Sequence, residues 1–447
     1  MRIGGAPGKR VLLVGSGGRE HALAWKLHQS PRLARLFAAP GSAAIAEFAQ
    51  CLPGDPTRPD EILSLCREFD ITCVVIGPEA PLAAGLSDAL SAAGIPTFGP
   101  GRDAARLESS KSFAKSFMRR TGIATARCES FDHPARAQDA AARLEFPVVI
   151  KADGLAAGKG VRICHTRREA METIQDFMVA RRLGEAGRRV LFEERLTGLE
   201  TTVMAFCDGK NLRVLPPSRD HKRLQDSGRG PNTGGMGAFA PAFIPTDIWN
   251  RIETDILQRT LRGLQEEKID YRGILYWGLM LTPEGPKVLE FNVRLGDPEA
   301  QAVLPLLRTD LLDLVEATVE GSLDRTPLEL RTGYCVTIVL ASEGYPFEPR
   351  TGRAITGLSA LAELPGTAAF HAGTARTPEG AWVTAGGRVL DIAATGETLE
   401  QARSAAYDAA GKVSFPGMQF RTDIASTAIQ PPPTPAREQA RPAGSNR

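Results

Sequence analysis

The side chains best suited to chemistry lie in one polar stretch, SRDHKR at residues 218–223, and beside it in the glycine-rich run GPNTGGMGA at residues 230–238. Asp, His, Lys and Arg supply hydrogen-bond donors and acceptors for polar ligand groups, and glycine lets the backbone approach a ligand closely. Taken alone, such a stretch is more often a solvated surface loop, because most connecting segments are. Whether it forms a site depends on what the rest of the chain places beside it.

Glu290 and Asn292 are candidate metal ligands. They are two residues apart on a predicted strand, so both face one side of it while Phe291 faces the core. A carboxylate and an amide carbonyl are hard oxygen ligands of the kind that Mg²⁺ takes together with nucleotide phosphates. Three more charged residues follow directly: Arg294, Asp297 and Glu299. This density of polar groups beside an apolar hairpin favours a site over a solvated strand face.

Two lysines and a glycine-rich loop are candidates for holding phosphate. Lys111 follows a short polar turn, and Lys151 ends the apolar strand 147–150, where its ammonium must reach solvent or meet an anion. Either lysine, taken singly, could equally be structural. The loop GLAAGKG at residues 154–160 resembles a Walker loop, but a strand pattern follows it instead of a helix. We therefore predict a hairpin that closes over phosphates.

The segment Glu193-Glu194-Arg195-Leu196 ends another predicted strand and could form a hinge whose backbone reads the edge of a base. Glu200 would then be placed to accept hydrogen bonds from ribose hydroxyls. The alternative is an ordinary pair of surface glutamates. The sequence suggests no Ser/His/Asp or Cys/His nucleophile arrangement. Metal-assisted phosphoryl transfer, in which positioning and charge neutralisation do most of the catalysis, is the chemistry these residues favour.

The elements that must position these residues begin with alternating strands and helices. Short apolar strands are predicted at residues 10–14, 71–76 and 95–98, with helices between them, which favours a parallel α/β sheet. The turn Gly15-Ser16-Gly17-Gly18 lacks the full dinucleotide fingerprint, because residue 20 is Glu. Free amides at the following helix N-terminus could still hold a phosphate.

The fold class we predict is a multidomain mixture of α/β and α+β units. An N-terminal parallel α/β domain is expected at residues 10–107, and a central domain at 108–325 with a mobile lid at about 125–195. A small α+β domain follows at 330–426. The proline-rich tail, 427–447, is expected to be disordered because its composition cannot bury enough apolar surface.

Composition excludes several classes of protein. The chain of 447 residues has a formal net charge of +2 and 24% charged residues, so neither nucleic acid nor a membrane surface is an expected partner. Only four apolar residues follow the basic N-terminus, too few for a signal-peptide core. Seven scattered cysteines show no metal spacing, which fits reduced thiols in a cytoplasmic protein.

With these residues in view, the chain resembles the phosphoribosylamine–glycine ligases, also called glycinamide ribonucleotide synthetases, of the ATP-grasp superfamily. The resemblance extends from about residue 11 to about residue 424. It is carried by motifs that occur in the expected order: VGSGGREHALAWKL, IGPEAPL, PVVIKADGLAAGKGV, SRDHKR, GPNTGGMGAFAP and LEFNVRLGDPEAQ. It implies a pre-ATP-grasp N-terminal domain, a central ATP-grasp fold, and the ligation of glycine to 5-phospho-D-ribosylamine with ATP through a glycyl phosphate, in purine biosynthesis.

The resemblance also implies residue roles. Glu290 and Asn292 would bind Mg²⁺ or Mn²⁺. Arg294 would stabilise charge on the glycyl carboxylate, and Asp220 and Lys222 would take part in catalysis. The residues implied for ATP are Lys111, Lys151, Gly154, Gly158, Lys159 and Gly160 at the phosphates, Glu193, Glu194 and Leu196 at adenine, and Glu200 at ribose. Those implied for glycine and phosphoribosylamine are Gly15, Gly17, Gly18, Arg19, Glu20, Glu79, His221, Asn232, Thr233, Gly234 and Gly235, with Asp297 and Glu299 orienting an amine.

The chain departs from the family pattern in three places. Ser42-Ala43-Ala44 stands where the family usually has Asn-x-Gly, Ser109 replaces a glycine before Lys111, and Thr202 replaces a serine after Glu200. These changes bear on substrate affinity and permit a second hypothesis, an ATP-grasp ligase with another acceptor amine. A third, a catalytically silent nucleotide-binding protein, would be expected to lose the lysines or the metal ligands, which are all present. We expect a monomer or a weak homo-oligomer.

Overall fold

The computed structural model describes residues 8–156 and 158–426. The predicted disordered tail, 427–447, lies outside the described residues. In chain order the strands are β1 (Lys9–Gly15), β2 (Leu33–Pro40), β3 (Gln50–Cys51), β4 (Cys73–Ile76), β5 (Thr97–Phe98), β6 (Cys128–Phe131), β7 (Val148–Ala152), β8 (Val161–Cys164), β9 (Val190–Glu194), β10 (Leu199–Cys207), β11 (Leu212–Val214), β12 (Arg219–Asp220), β13 (Arg223–Gln225), β14 (Arg229–Asn232), β15 (Gly237–Ala240), β16 (Gly273–Thr282), β17 (Gly285–Asn292), β18 (Tyr334–Ala341), β19 (Thr367–His371), β20 (Thr374–Arg376), β21 (Trp382–Thr384) and β22 (Arg388–Gly396).

The α-helices are α1 (Gly18–Leu27), α2 (Pro59–Glu68), α3 (Glu79–Ala84), α4 (Leu86–Ala92), α5 (Arg102–Ser109), α6 (Lys111–Thr121), α7 (Pro134–Ala141), α8 (Arg167–Ile174), α9 (Thr246–Ile252), α10 (Gln258–Glu266), α11 (Glu299–Val303), α12 (Leu311–Glu320) and α13 (Leu399–Ala410). None of the helices in the described part of the chain combines the length and the apolar character that crossing a membrane requires.

The N-terminal sheet is parallel throughout, as predicted, with the order β3-β2-β1-β4-β5. Residues 11–14 of β1 are fully buried, since helices cover both faces of such a sheet. The order reverses between β1 and β4, which places a crevice at the carboxyl ends of these two strands. The loops Gly15–Gly18 and Gly77–Glu79 both open there. One detail differs from the prediction: Gly85, with φ 88°, splits the single expected helix into α3 and α4.

An antiparallel sheet with the order β6-β9-β7-β8 follows, covered by α7 and α8. It has an apolar core of its own, made only of residues between Phe131 and Phe192. Helix α8 ends at Ile174, and a π-helical turn continues it to Val179. The predicted hairpin is confirmed, because β7 and β8 pair antiparallel on either side of residues 153–160.

The central antiparallel sheet has the order β11-β10-β16-β17. The apolar hairpin expected beside Glu290 and Asn292 is confirmed, because β16 and β17 pair antiparallel. The C-terminal sheet has the order β12-β15-β18-β22-β19. Two of its strands, β12 and β15, come from the polar and glycine-rich stretch of residues 218–240. One apolar core contains Val11, Phe206 and Phe370, so the N-terminal, central and C-terminal parts pack against one another.

Candidate active site

The site is built around the end of β17. Phe291 is 2% exposed and packs in the core, whereas Glu290 and Asn292 face the opposite side, which confirms the predicted alternation. Opposite them, Lys222 follows β12 and places its Nζ 3.6 Å from Glu290 Oε1 and 3.9 Å from Glu200 Oε2. The predicted metal pair, the SRDHKR stretch and the predicted ribose residue therefore meet at one point.

The pKa values of Glu290 and Lys222 are set by the charged groups around them. Burial acts to raise the pKa of Glu290, but Lys222, Lys111 and Lys151 outweigh it and lower the pKa to about 2. Burial acts to lower the pKa of Lys222, but Glu290 and neighbouring groups raise it well above its ordinary value. The carboxylate and the ammonium are thus both charged at neutral pH.

The donor set fits a hard divalent cation. The described residues hold no group of three His, Cys, Asp or Glu side chains around one point, so a full protein cage is absent from them. Mg²⁺ does not need one, because it is commonly held by one or two protein oxygens together with substrate phosphates and water. In the orientation that satisfies its hydrogen bonds, Asn292 Nδ2 donates to Glu108 Oε1 at 2.9 Å. The amide oxygen therefore turns away from Glu108 and is available as a ligand.

The predicted phosphate lysines occupy neighbouring positions. Lys151 Nζ lies 2.9 Å from Glu193 Oε2 and donates to the carbonyl of Leu289 at 3.1 Å. Lys111 begins α6 and is half-buried, and its charge contributes to the low pKa of Glu290. Both lysines therefore direct positive charge toward the end of β17.

Lys115, which sequence reasoning missed, completes this cluster. Its Nζ lies 3.2 Å from Glu193 Oε2 and donates to Thr125 Oγ1 at 2.8 Å. Burial lowers the pKa of Lys115. Its spacing of four from Lys111 put both on one face of α6, which is the signal that could have found it.

Glu193 and Glu194 point to opposite sides of β9. The carboxylate of Glu193 is buried between two lysines, and its Oε1 has no hydrogen-bond partner in the described part of the chain. Glu194 instead pairs with Arg127 at 2.8 Å, and that partner helps to lower its pKa although partial burial acts to raise it. Leu196 is half-exposed just beyond the strand.

The glycine hairpin reaches the second glycine-rich run. Ala152 N donates to Gly160 O at 2.8 Å, and Gly154 N donates to Ala186 O at 3.3 Å. Gly158 has φ 77°, and a Cβ built on it would lie 3.9 Å from Thr233 O. The neighbouring Lys159 is exposed. The predicted phosphate loop therefore borders the predicted substrate loop.

The substrate loop is tied to SRDHKR by its backbone. Thr233 N and Oγ1 both donate to Lys222 O, at 2.8 and 2.9 Å, and Asn232 pairs with Arg223. Gly235 N donates to Thr233 Oγ1 at 3.0 Å. The ring of His221 lies near Gly237 O, and burial lowers its pKa to about 4, so it is neutral at pH 7.

Asp220, Asp297 and Glu299 surround this loop. Glu299 Oε1 accepts from Tyr276 Oη at 2.8 Å and from Thr202 Oγ1 at 3.2 Å. Asp220 Oδ1 is buried without a hydrogen-bond partner among the described residues. Burial and the nearby Glu299 raise the pKa of Asp220 well above its ordinary value.

The loops after β1 and β4 meet over Glu20. Gly17 N donates to Glu20 Oε2 at 2.8 Å, and Arg19 Nε donates to Glu20 Oε1 at 2.6 Å. Gly15 has φ 125°, and a Cβ built there would lie 2.5 Å from Glu20 Cγ, so only glycine fits. The amide of Gly17, expected to be free at the helix N-terminus, is thus already paired.

Arg294 contacts two carboxylates from the N-terminal part of the chain. It donates through Nε to Glu79 Oε2 at 3.2 Å and through Nη2 to Glu108 Oε1 at 2.8 Å. Burial acts to lower the pKa of Arg294, but Glu108 and Glu79 outweigh it and raise the pKa further. Burial raises the pKa of Glu108. Sequence reasoning also missed this residue as part of the site, although it stands three residues before Lys111.

The C-terminal part supplies further groups that sequence reasoning missed. Arg388 Nη1 lies 3.0 Å from Asp297 Oδ1 and donates to Gly234 O at 2.9 Å, and Gly234 N donates to Tyr345 Oη at 2.9 Å. Gln301 Nε2 joins Asp297 Oδ1, at 3.0 Å, to Asp391 Oδ2, at 2.8 Å.

Comparisons with known proteins agree over most of the chain. Family models match in order: Phosphoribosylglycinamide synthetase, N domain, at residues 9–108; its ATP-grasp (A) domain at 109–300; and its C domain at 335–427. A phosphoribosylamine–glycine ligase of Rhodopirellula baltica is 44% identical over 431 residues, which cover 94% of this chain and 98% of that protein. A trifunctional purine biosynthetic protein adenosine-3 of Gallus gallus is 48% identical over 425 residues. The chain spans only 42% of that longer relative.

The comparison with solved structures agrees with the sequence comparisons. The crystal structure of a phosphoribosylamine–glycine ligase from Thermotoga maritima matches with a TM-score of 0.81 at 39% identity, covering 93% of this chain and all of that one. A biotin carboxylase domain of Hydrogenobacter thermophilus 2-oxoglutarate carboxylase, in complex with MgADP, matches with a TM-score of 0.69 at 16% identity over 92% of this chain and 91% of that one. At that identity the second likeness shows a shared fold alone.

Proposed function

Because the chain belongs to the phosphoribosylglycinamide synthetase family, we propose that it ligates glycine to 5-phospho-D-ribosylamine with ATP, giving glycinamide ribonucleotide, ADP and phosphate, in purine biosynthesis. The observation that carries the proposal is that Lys222 lies 3.6 Å from Glu290, while Arg294, close by on the same segment, bridges from the matched A domain to Glu79 and Glu108 of the matched N domain. Phosphoryl transfer to a carboxylate needs a metal ligand, cations for phosphate and a cation for the carboxylate, and these are the groups assembled there.

ATP binding is assigned to the cluster around β7 and β9. Lys111 and Lys151 would neutralise phosphate charge, with the hairpin 154–160 closing over it. Glu193 Oε1, a buried acceptor without a protein partner in the described chain, would face the adenine side. Glu290 Oε1 and Asn292 Oδ1 would hold Mg²⁺ or Mn²⁺, which when bound supplies positive charge to the transferring phosphate.

Glycine activation is assigned to Arg294. Its guanidinium, kept charged by Glu79 and Glu108, would hold the glycine carboxylate while one carboxylate oxygen attacks the γ-phosphorus of ATP. The bond between that phosphorus and the bridging oxygen breaks, ADP leaves, and glycyl phosphate remains. The carboxyl carbon now carries phosphate as a leaving group.

Amide formation is assigned to the loop region around Asp220. The amine of phosphoribosylamine attacks the activated carbonyl carbon, phosphate departs, and the nitrogen loses a proton. Asp220, whose pKa burial and Glu299 raise, is suited to accept that proton when ionised. Asp297 and Glu299 would orient the amine, with residues 232–235 and the Gly15–Glu20 loop around the sugar phosphate.

The finer assignments remain predictions: the preference for Mg²⁺ or Mn²⁺, a cytoplasmic location, and a monomer or weak homo-oligomer. The same site also supports a ligase that uses another acceptor amine. This second candidate rests on Ser42-Ala43-Ala44, next to the turn after β2.

The test is ADP formation by purified protein with ATP, Mg²⁺, glycine and freshly prepared phosphoribosylamine. We expect ADP only when both glycine and the amine are present, and one ADP for each glycinamide ribonucleotide. Absence of ADP above the control without glycine would overturn the proposal. ADP formation with other amines but not with phosphoribosylamine would favour the second candidate.

A further inference from the structure

One buried carboxylate, that of Glu108, touches two groups that the proposed function places in the reaction. Glu108 is 6% exposed, at the end of α5. Its Oε1 accepts from Arg294 Nη2 at 2.8 Å and from Asn292 Nδ2 at 2.9 Å. Its Oε2 accepts from the backbone amide of Val293 at 2.8 Å. Three consecutive residues, the last of β17 and the two that follow it, are thus held by one side chain.

Stability alone gives a weak reason for this arrangement. An acidic residue in the last turn of a helix opposes the helix dipole, which favours cations there. Burying a carboxylate is costly, and a buried ion pair often contributes no more stability than apolar residues of the same volume. The carboxylate lies between a candidate metal ligand and a candidate catalytic cation, which points to a role in the reaction.

We propose that Glu108 is a positioning residue that fixes the orientations of the Asn292 amide and the Arg294 guanidinium relative to each other. The inference rests on the proposed function and adds to it a residue that is assigned no contact with substrate. Accepting from Asn292 Nδ2 leaves Oδ1 as the amide atom that can face a cation. Without that acceptor the amide can turn over and present its NH₂ group, which repels a metal ion.

The same carboxylate fixes the Asn292 amide and the Arg294 guanidinium relative to each other. The Val293 amide anchors one oxygen of Glu108, so the other oxygen is fixed in place for both partners. Glu108 belongs to the end of the matched N domain and its partners to the A domain. Glu108 therefore also fixes the relative position of the two domains at the point where phosphate would be transferred.

The chain offers a matched control in Glu79. Its carboxylate also holds Arg294, at 3.2 Å, but it makes no hydrogen bond to Asn292 in the described part of the chain. Glu108→Gln removes the charge and leaves only one acceptor oxygen, so the side chain cannot accept from Asn292, Arg294 and the Val293 amide together. Glu79→Gln removes only one support of the arginine.

The experiment measures Mn²⁺ binding to the protein with ADP, by electron paramagnetic resonance of free Mn²⁺, together with steady-state kinetics. We expect Glu108→Gln to raise the Mn²⁺ dissociation constant on the order of tenfold or more, as loss of a group that orients a ligand commonly does. Glu79→Gln should leave the Mn²⁺ dissociation constant close to that of the original protein, because Glu79 makes no hydrogen bond to Asn292 in the described part of the chain. Both variants should raise the KM for glycine, since both loosen Arg294.

The outcomes separate the inference from the proposed function. Equal Mn²⁺ binding by the original protein and Glu108→Gln would overturn the inference alone. No Mn²⁺ binding by the original protein with ADP would remove the metal site itself and so count against the proposed function. If Glu108→Gln does not fold, as judged by circular dichroism, Glu108→Asp carries the same comparison. That variant keeps the charge but withdraws it by one methylene, and it should weaken Mn²⁺ binding to an intermediate degree; unchanged binding would again overturn the inference.

Discussion

Replacing Asp391 by Asn should stabilise the protein in a pH-dependent way. Asp391 is fully buried on β22, where Gln301 Nε2 donates to its Oδ2 at 2.8 Å and its Oδ1 has no partner in the described chain. Asn keeps an oxygen for Gln301 and cannot ionise. The variant therefore changes the charge of the group and very little of its shape.

The expected magnitude follows from the pKa. Burial and the neighbouring Asp297 raise the pKa of Asp391 from 3.8 to about 7, against the opposing effects of Arg388 and Gln301. The unfolded chain releases this proton near pH 3.8 and the folded chain only near pH 7, so folding becomes less favourable as pH rises between these values. The accumulated cost is roughly 4 kcal/mol above pH 7. At pH 5 about 2 kcal/mol of it has developed.

The assay is urea unfolding followed by circular dichroism at pH 5 and pH 8. Asp391→Asn should exceed the original protein in free energy of unfolding at both values, by about 2–3 kcal/mol more at pH 8 than at pH 5. Asp408→Asn, at an exposed position of α13, is the control, and we expect a change below about 0.5 kcal/mol at either pH. A gain that does not depend on pH, or a loss of stability at pH 8, would refute the reasoning.

Two further substitutions test the site. Glu290→Ala should abolish metal-dependent ATP turnover while the circular dichroism spectrum is unchanged, because it removes the carboxylate of the proposed metal pair; an unchanged rate would take Glu290 out of that site. Gly235→Ala should lower kcat/KM for the acceptor amine, on the order of 100-fold if the loop shifts by about 1 Å. Gly235 has φ 114°, and an added Cβ would lie 2.4 Å from Pro298 Cδ and 2.7 Å from Asp220 Oδ1. Equal kcat/KM in this variant would show that the loop does not position the amine.

Local patterns made much of the fold predictable. Glu290 and Asn292 share a side of β17 because side chains alternate along any strand, and that rule needs no tertiary information. The parallel N-terminal sheet was predictable because strand and helix signals that alternate along the sequence are typical of such a sheet. The break at Gly85 was harder to predict, since an isolated glycine inside a helical pattern can be tolerated and does not by itself mark a helix end.

The missed residues depend on contacts between distant parts of the chain. Tyr345 and Arg388 reach the glycine-rich run because β15 pairs with β18, about a hundred residues later, and β18 pairs with β22. No local sequence pattern predicts that pairing. Glu108 was visible as part of a short polar turn, but its three partners come from residues 292–294, far along the sequence.

The most direct test of the central claim is the fate of the glycine carboxylate oxygens. If glycyl phosphate forms, glycine labelled with ¹⁸O in its carboxylate must pass one labelled oxygen to the released phosphate for each amide bond made. Mass spectrometry of the phosphate, with ATP and phosphoribosylamine present, should therefore show one ¹⁸O atom per phosphate. Unlabelled phosphate in the presence of product would contradict the account, because the carboxylate would then have been activated without phosphoryl transfer to it.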